Sequence, residues 1–369
     1  MSVEQQLLQP SELPFDPMQS VIVGTGMAIP DHCVTNHDLV AIMDTTDEWI
    51  TKRTGVRQRF CCAPGVGSSE LAIEACTMAL ADANVLPSDV DLLVTATMTP
   101  DEFVPGIAPT VQHGLGLGQV GAFDIRQQCS GFLYGLDMAD AAIVSGRART
   151  VLVVGAESHA GYMPYGSSWE ILRGQRTGPP DAAAYATATE SRAWSVLFGD
   201  GAGAVVLQAD PDAPGVLSSV LNTDGALSDL IRVRAAGFKQ QPWLDIAQIA
   251  AGMHHPTFNG LELFRQAVRR MPEAVRHVVD AAGLTLADVD VVVAHQANER
   301  ILDAVRKEMD VGTDIIPSNI ARYGNTTAAT LPLLFHELRQ GGRIPSGALV
   351  CFTAFGAGAH WGALLYRHP

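Results

Sequence analysis

Two stretches of the chain share one alternation of polar and apolar positions. Asp89-Val90-Asp91-Leu92-Leu93-Val94 is echoed by Asp288-Val289-Asp290-Val291-Val292-Val293, and each follows a helical stretch ending in Asp-Ala, at Asp82-Ala83 and Asp280-Ala281. Nearly unbroken Val, Leu and Ile runs predict strands covered on both faces, and apolar positions at helical spacing between them predict the covering helices. In the N-terminal half the pattern predicts a β-rich run at 20–24 and a short helix or turn from Asp47. A helix from Ser68 to about Ala83, strands near 91–97 and 120–126, a helix from about Ser130 to Ser145 and a strand at 151–154 follow. The C-terminal half repeats the order. It has helices at about 260–282, 298–309 and 325–340, and strands at 290–295 and near 314–316, 348–353 and 361–366. Strands alternating with helices in this way imply a layered α/β protein in which two sheets from a duplicated unit share central helices.

The same pattern divides the chain. Residues 1–17, rich in Gln and Pro, read as a flexible N-terminal arm; 18–210 form one half and 211–369 the other. Within the first half, the segment at about 159–191 breaks the regularity with Tyr162, Tyr165, Trp169, several glycines and Pro179-Pro180, and irregular segments of this length usually carry function or are disordered. Gly199-Asp200-Gly201-Ala202-Gly203 resembles a dinucleotide loop, but strand-like Ala204-Val205-Val206-Leu207 follows it where such a loop needs a helix. Tight strand packing is the better reading of those glycines.

Composition narrows the function classes. A 47% hydrophobic fraction and 35 glycines in 369 residues indicate a buried globular core. The net charge of −15 argues against general attraction to nucleic acid or anionic membrane. No apolar run approaches the roughly 20 residues of a membrane span, and the N-terminus lacks the regions of a signal peptide, so the expected compartment is the cytoplasm. Six cysteines, at 33, 61, 62, 76, 129 and 351, show no metal-ligand spacing and are expected to be reduced. Five of them read as small buried side chains.

Cys129 stands apart. It lies 17 residues before Gly146-Arg147 (146 − 129), and Asn325 lies 17 before Gly342-Arg343 (342 − 325), so the repeat predicts matching places for the two, each opening a helix. A thiol at a helix start meets unpaired N–H groups and the positive end of the macrodipole, which predicts a lowered pKa and a nucleophile. A buried structural cysteine fits the local pattern equally well. His295 ends an apolar strand, where a satisfied core histidine is common, and Asn325 follows Tyr323-Gly324, where a helix N-cap is common. Taken together the three residues point to a site. Cys with His can form an activated nucleophile, and a neutral amide beside them suits acyl transfer with an oxyanion or enolate to hold.

Over about residues 20–367 the chain resembles the β-ketoacyl-acyl carrier protein synthases of type III, members of the thiolase fold. The matching stretches are Thr46-Asp47-Glu48-Trp49-Ile50 with Arg53-Thr54-Gly55, Cys129-Ser130-Gly131-Phe132, Phe198 to Ala204, His295-Gln296-Ala297-Asn298, Gly324-Asn325-Thr326 and Phe355-Gly356-Ala357-Gly358. The resemblance implies a homodimer with a five-layer αβαβα core and the catalytic set Cys129, His295 and Asn325. It implies that Cys129 and Ala357 supply oxyanion N–H groups and that Trp49 and Arg192 sandwich the adenine of coenzyme A with Arg53 near its phosphates. Gly260, Phe264 and Asn298 would line the pantetheine tunnel.

The implied chemistry begins with attack of Cys129 on acyl-CoA, a substrate here rather than a cofactor; no cofactor or metal is called for. Malonyl-acyl carrier protein then enters, and loss of carbon dioxide gives an enolate held by His295 Nε2 and the Asn325 amide. Arg265, Arg269, Arg270, Arg300, Arg306 and Lys307 offer a positive surface for the acidic carrier, judged from the family's matching helices. Three departures from the family stand out: Ser130 after the nucleophile with Gln127-Gln128 before it, the long segment at 159–191, and Val104 where a bulky phenylalanine often bounds the acyl pocket. At that last position head-to-head condensing relatives carry a glutamate. The expected function is decarboxylative condensation to a 3-oxoacyl-acyl carrier protein, the step that initiates fatty-acid synthesis; a type III-like acyltransferase or condensing enzyme of secondary metabolism and a non-catalytic pathway scaffold are the alternatives.

Overall fold

The computed structural model describes residues 18–369, so the expected arm at 1–17 lies outside the described residues. Two mixed sheets form its framework. The first runs, in spatial order, Gln19–Ala28, Gly201–Asp210, Thr150–Glu157, Leu92–Ala96 and Gly121–Ile125; the second runs Val291–Ala294, Leu349–Gly356, His360–Arg367 and Gly215–Thr223. Leu92–Ala96 is parallel to Thr150–Glu157, as Val291–Ala294 is to Leu349–Gly356, and an antiparallel strand follows in each sheet.

The duplication is visible in single hydrogen bonds. Asp91 N donates to Thr150 O at 2.9 Å and Asp290 N to Leu349 O at 3.0 Å. The carboxylates of the same two residues accept from the amides opposite, Asp91 from Thr150 N at 2.9 Å and Asp290 from Leu349 N at 2.7 Å. The polar starts of the repeated runs therefore pin strand register in both halves.

Three apolar clusters mark the layers. One lies between the first sheet and the outer helix Ser68–Ala83. The second fills the space between the sheets, where Phe132, Leu133 and Leu136 of the helix Gly131–Val144 meet Leu331, Leu334 and Phe335 of Thr330–Gln340. The third packs the second sheet against Gly260–Ala281 and Glu299–Met309. Helix, sheet, paired helices, sheet and helix make the five layers of the thiolase fold. Glycine permits the closest of these contacts: a Cβ at Gly26 would sit 2.1 Å from Ala75 O on the outer helix. Helix ends follow local chemistry, since Asn298 accepts from Ile301 N at 3.0 Å and left-handed Asp310 stops the same helix.

Two expectations are corrected. The strand near 314–316, the counterpart of Gly121–Ile125, does not form. Ile315 and Ile316 both donate to Gly312 O in a turn, and only Val292 N to Ile315 O, at 2.7 Å, survives of the ladder. Nor do Cys129 and Asn325 occupy matching places. Each central helix is preceded by a 3₁₀ turn, Gln128–Ser130 or Thr327–Ala329, entered through nearly identical backbone: Gln127 at φ −93, ψ 23 and Thr326 at φ −95, ψ 23. Gln128 and Thr327 then take positive φ, 50° and 45°. Cys129 thus matches Ala328, and Asn325 lies three residues upstream (328 − 325). The 17-residue spacing misleads because the second helix, with 11 residues, is three shorter than the first, with 14.

Candidate active site

A cavity of about 1980 Å³ opens between the two halves, and Cys129, His295, Asn325 and Ala357 all line it. Single small-molecule sites usually fall at roughly 300–1,000 Å³, so this space is large enough to join several subsites.

Strand ends and helix starts place the three side chains. Cys129 sits in the 3₁₀ turn that leads into Gly131–Val144, and Gly356, the last residue of its strand, lies against it. A Cβ on Gly356 would come within 3.1 Å of both Cys129 N and Ser130 N; Ser130 N is spent on Gln127 O at 3.0 Å, so glycine keeps the Cys129 amide uncovered. Ser130 Oγ donates to His360 O at 2.9 Å, which ties the turn to the adjacent strand. His295 follows Val291–Ala294, and its Nδ1 lies 2.7 Å from Thr330 Oγ1. Asn325 is fixed on both sides of its backbone, donating to Leu197 O at 2.8 Å and accepting from Gly199 N at 3.2 Å. Its side-chain Oδ1 accepts from Thr327 N at 2.8 Å and its Nδ2 donates to Ala297 O at 3.5 Å, which orients the amide and leaves its second N–H for the cavity.

Electrostatics reverse one expectation. Burial, followed by the neighbouring Glu157 carboxylate, pushes the Cys129 thiol up to about 12. The lowered pKa expected from a helix start is overridden, because desolvation of a thiolate outweighs the macrodipole. Burial also holds His295 neutral, its pKa brought down to about 3. The resting pair is a thiol and a neutral imidazole.

Glu157 is the neighbour that the sequence pattern did not single out. Fully buried at the end of Thr150–Glu157, it accepts from Met98 N and Thr99 N at 3.1 Å, from Thr99 Oγ1 at 2.6 Å and from Ala328 N at 3.3 Å. A buried carboxylate needs such donors, and these come from both halves of the repeat. An acid ending an apolar strand was its only signal. Thr327 and Thr330 carried none, since their roles depend on the turn.

The remaining expected residues divide. Gly260, Phe264, Asn298 and Arg300 line the cavity. Trp49, Arg53 and Arg192 cluster apart from its lining, with the Arg53 and Arg192 guanidinium carbons 4.2 and 5.4 Å from the Trp49 ring centroid. Arg192 also pairs with Asp44 at 2.9 Å. Val104 is 72% exposed and does not line the cavity, whereas Phe103 does. The loop carries Val104 outward, which corrects its expected place in this chain's acyl pocket. Arg306 is corrected too. It is 5% exposed, donates to Ile316 O at 2.9 Å and pairs with Glu299 and Asp303 at 2.7 and 2.8 Å, so it is spent on the fold. Arg265 and Arg269 are exposed but pair with Glu262 and Glu273, while Arg270 lies over Trp361 at 4.6 Å. Arg300 and Lys307 are exposed. Among the described residues no group of three or more His, Cys, Asp or Glu could hold a metal, and no helix is long and apolar enough to cross a membrane.

Comparison with known proteins places this geometry. The family model for the C-terminal part of 3-oxoacyl-[acyl-carrier-protein] synthase III matches residues 279–368, and the model for 3-oxoacyl-[acyl-carrier-protein] synthase III matches 123–172 and 180–225. A β-ketoacyl-[acyl-carrier-protein] synthase III of Erythrobacter litoralis is 40% identical over 95% of this chain and 100% of its own. The chain belongs to the 3-oxoacyl-[acyl-carrier-protein] synthase III family. The crystal structure of the synthase III of Pseudomonas aeruginosa is 36% identical, with a TM-score of 0.80 over 95% of this chain and 98% of that one. The priming β-ketosynthase of the R1128 polyketide pathway is 30% identical, with a TM-score of 0.80 over 97% and 99%. The residues left between the matched segments, 173–179, fall within the 159–191 region, between the helices Trp169–Leu172 and Ala182–Ser195.

Proposed function

We propose that this protein accepts an acyl group from acyl-CoA on Cys129 and condenses it with malonyl-acyl carrier protein, releasing carbon dioxide and a 3-oxoacyl-acyl carrier protein, and so starts fatty-acid synthesis. The observation that carries the reading is the meeting of Cys129, a neutral His295 and an oriented Asn325 amide in one cavity.

The chemistry follows from those groups. Cys129 Sγ attacks the thioester carbonyl, and its proton leaves with the thiol of coenzyme A. Backbone N–H groups of Cys129 and Ala357 hold the tetrahedral oxyanion; a donor of this kind contributes roughly 3–4 kcal/mol. Breaking the malonyl C–C bond sends its electron pair toward the thioester carbonyl, and the resulting enolate oxygen accepts from His295 Nε2 and Asn325 Nδ2. The enolate carbon then attacks the acyl-Cys129 carbonyl and expels the Cys129 thiolate, which takes up a proton from solvent to restore the resting thiol. Decarboxylation supplies the carbanion equivalent, so neither His295 nor a carboxylate has to act as a strong base.

Gly260, Phe264 and Asn298 suit a pantetheine arm along the cavity, and Trp49, Arg53 and Arg192 suit the nucleotide end of coenzyme A. Arg300 and Lys307, with Arg265 and Arg269, suit an acidic carrier at the mouth. The strand Gly121–Ile125 ends its sheet with an exposed edge, which suits pairing with a second copy in a cytoplasmic homodimer. Likeness to the R1128 priming ketosynthase supports a second reading, priming of a polyketide chain by the same chemistry.

The test is stepwise. Intact mass should show one acyl group on Cys129 after incubation with acyl-CoA, and malonyl-acyl carrier protein should then release carbon dioxide and the 3-oxoacyl product. Acylation without carbon dioxide release would leave only a simple acyltransferase; no acylation at all would leave a scaffold.

A further inference from the structure

The segment at 159–191 takes no part in the chemistry above, yet it walls the cavity: His159, Tyr162, Met163, Trp169 and Arg173 all line it. A run of contacts leads to this wall from Asn325. Phe198 forms a parallel bridge with Asn325, and the His159 ring stacks on Phe198 with centroids 4.8 Å apart. The Asp200 carboxylate then accepts from both His159 N at 2.6 Å and Cys62 N at 2.7 Å. Cys62, also in the lining, follows Cys61, which pairs with His32 across the strands Gln58–Cys61 and His32–Thr35. Arg173 lies beside His32 at the far end of the run. A thioester at Cys129 has two ends to place. Gly260, Phe264 and Asn298, assigned above to pantetheine, belong to the second half of the chain, so the first-half wall from Phe198 to Arg173 is the one open to the acyl end.

This wall is apolar along its length and charged at its end. Phe198, Tyr162, Met163 and Trp169 suit methylene groups. Trp169 is held by Tyr165, ring centroids 5.2 Å apart, and Tyr165 Oη donates to Ser195 O at 2.8 Å. The guanidinium carbon of half-buried Arg173 lies 4.6 Å from the Trp169 ring centroid. The stack orients the guanidinium without neutralising it. Glu170 and Asp181 of the same segment pair instead with Arg176, at 3.9 and 3.3 Å. Asp101, the acidic residue of the cavity lining, accepts from Ser69 N at 3.2 Å in the first turn of the helix Ser68–Ala83. On the other side, burial and then the Arg173 charge lower the His32 pKa, so that neighbour is a neutral ring. Among the described residues the Arg173 guanidinium has neither an ion-pair partner nor a hydrogen-bond acceptor. In a chain with 39 acidic side chains against 24 basic ones, an arginine left without an acid in a cavity wall is an open site for an anion, and its planar fork matches a carboxylate.

We propose that the acyl donor carries a carboxylate at the end remote from the thioester, its methylenes lying along Phe198, Tyr162 and Trp169 and its carboxylate bound by Arg173. The proposal rests on the acylation of Cys129 described above and names the class of acyl group. The remote carboxylate takes no part in bond making: Cys129 Sγ displaces coenzyme A as before, and the condensation product keeps the carboxylate at its far end.

The experiment follows acylation of Cys129 in the full chain by intact mass, with CoA thioesters paired by length: succinyl- with butyryl-, adipyl- with hexanoyl- and suberyl- with octanoyl-CoA. In at least one pair the carboxyacyl member should react about tenfold or more faster with wild type. Arg173→Met should lower the carboxyacyl-to-alkyl ratio of that pair by about tenfold or more, and Arg173→Lys, which keeps the charge and loses the fork, should fall between. Faster reaction of the alkyl member of every pair in wild type overturns the proposal. An unchanged ratio in R173M overturns it too, and is the result if the charge serves the coenzyme A end or the fold. Should R173M not fold, Arg173→Gln carries the same expectation, and the wild-type ratios decide without either. Labelling by alkyl thioesters and by no carboxyacyl one sinks this inference and leaves the condensing reading intact; labelling by none sinks both.

Discussion

Alkylation of Cys129 as a function of pH separates two opposing physical effects. The helix Gly131–Val144 starts just after the thiol, and a charge near a helix terminus gains typically about 0.3–1 kcal/mol, less than one pKa unit. Against this, burial and Glu157 raise the thiol from 9.0 to about 12. That rise amounts to about 4 kcal/mol against ionisation, several times what the helix offers. At pH 7 the thiolate fraction is then about 1 in 10⁵ and at pH 9 about 1 in 10³, where an unshifted thiol would be about half ionised. Iodoacetamide labelling of Cys129, followed on its own peptide by mass spectrometry, should rise about tenfold per pH unit from 6 to 9 with no plateau. Glu157→Gln should speed labelling at any fixed pH, because it removes the negative charge that helps to raise the thiol. A plateau below pH 8 in wild type would refute this reasoning and restore the helix-start expectation. Slow labelling is compatible with catalysis, since the proton need only leave as the thioester is attacked.

Asn325→Ala should leave acylation of Cys129 largely intact and block condensation, whereas Cys129→Ala should abolish acylation; equal loss of acylation in both would refute the division of roles. His295 has its folded pKa lowered to about 3 from 6.5, so the unfolded chain binds more protons between these values. Its contribution to stability is present above about pH 6.5 and is lost as pH falls toward 3, and denaturant midpoints of His295→Gln should depend less steeply on pH over that window. Arg300→Glu should raise KM for malonyl-acyl carrier protein, with less effect on that for acyl-CoA and a marked salt dependence in wild type; no change would remove Arg300 from carrier docking. Arg306→Ala should instead lower unfolding stability by about 1–3 kcal/mol, because it removes hydrogen bonds to Ile316 O, Glu299 and Asp303.

The duplicated polar and apolar pattern was sufficient to place most strands and helices and the layered α/β class. Strand burial on both faces is a local property of composition, and Asp91 and Asp290 perform in the fold the same register-fixing task that their matching positions suggest. The motifs around Cys129, His295 and Asn325 were legible for a similar reason: strand ends and helix starts are where such residue types are useful. Tertiary structure decided the rest. A helix shorter by three residues moved Asn325 out of register with Cys129, and the turn at Gly312 cancelled a strand. Arg306 left the surface because Ile316 O, Glu299 and Asp303 surround it, and Val104 left the cavity because its loop faces outward. Burial and Glu157, brought in at the end of the strand that follows the helix, reversed the sign of the Cys129 shift. The shift at Cys129 comes from desolvation and a carboxylate on another segment, and both depend on which segments meet, information that periodicity within a segment does not contain.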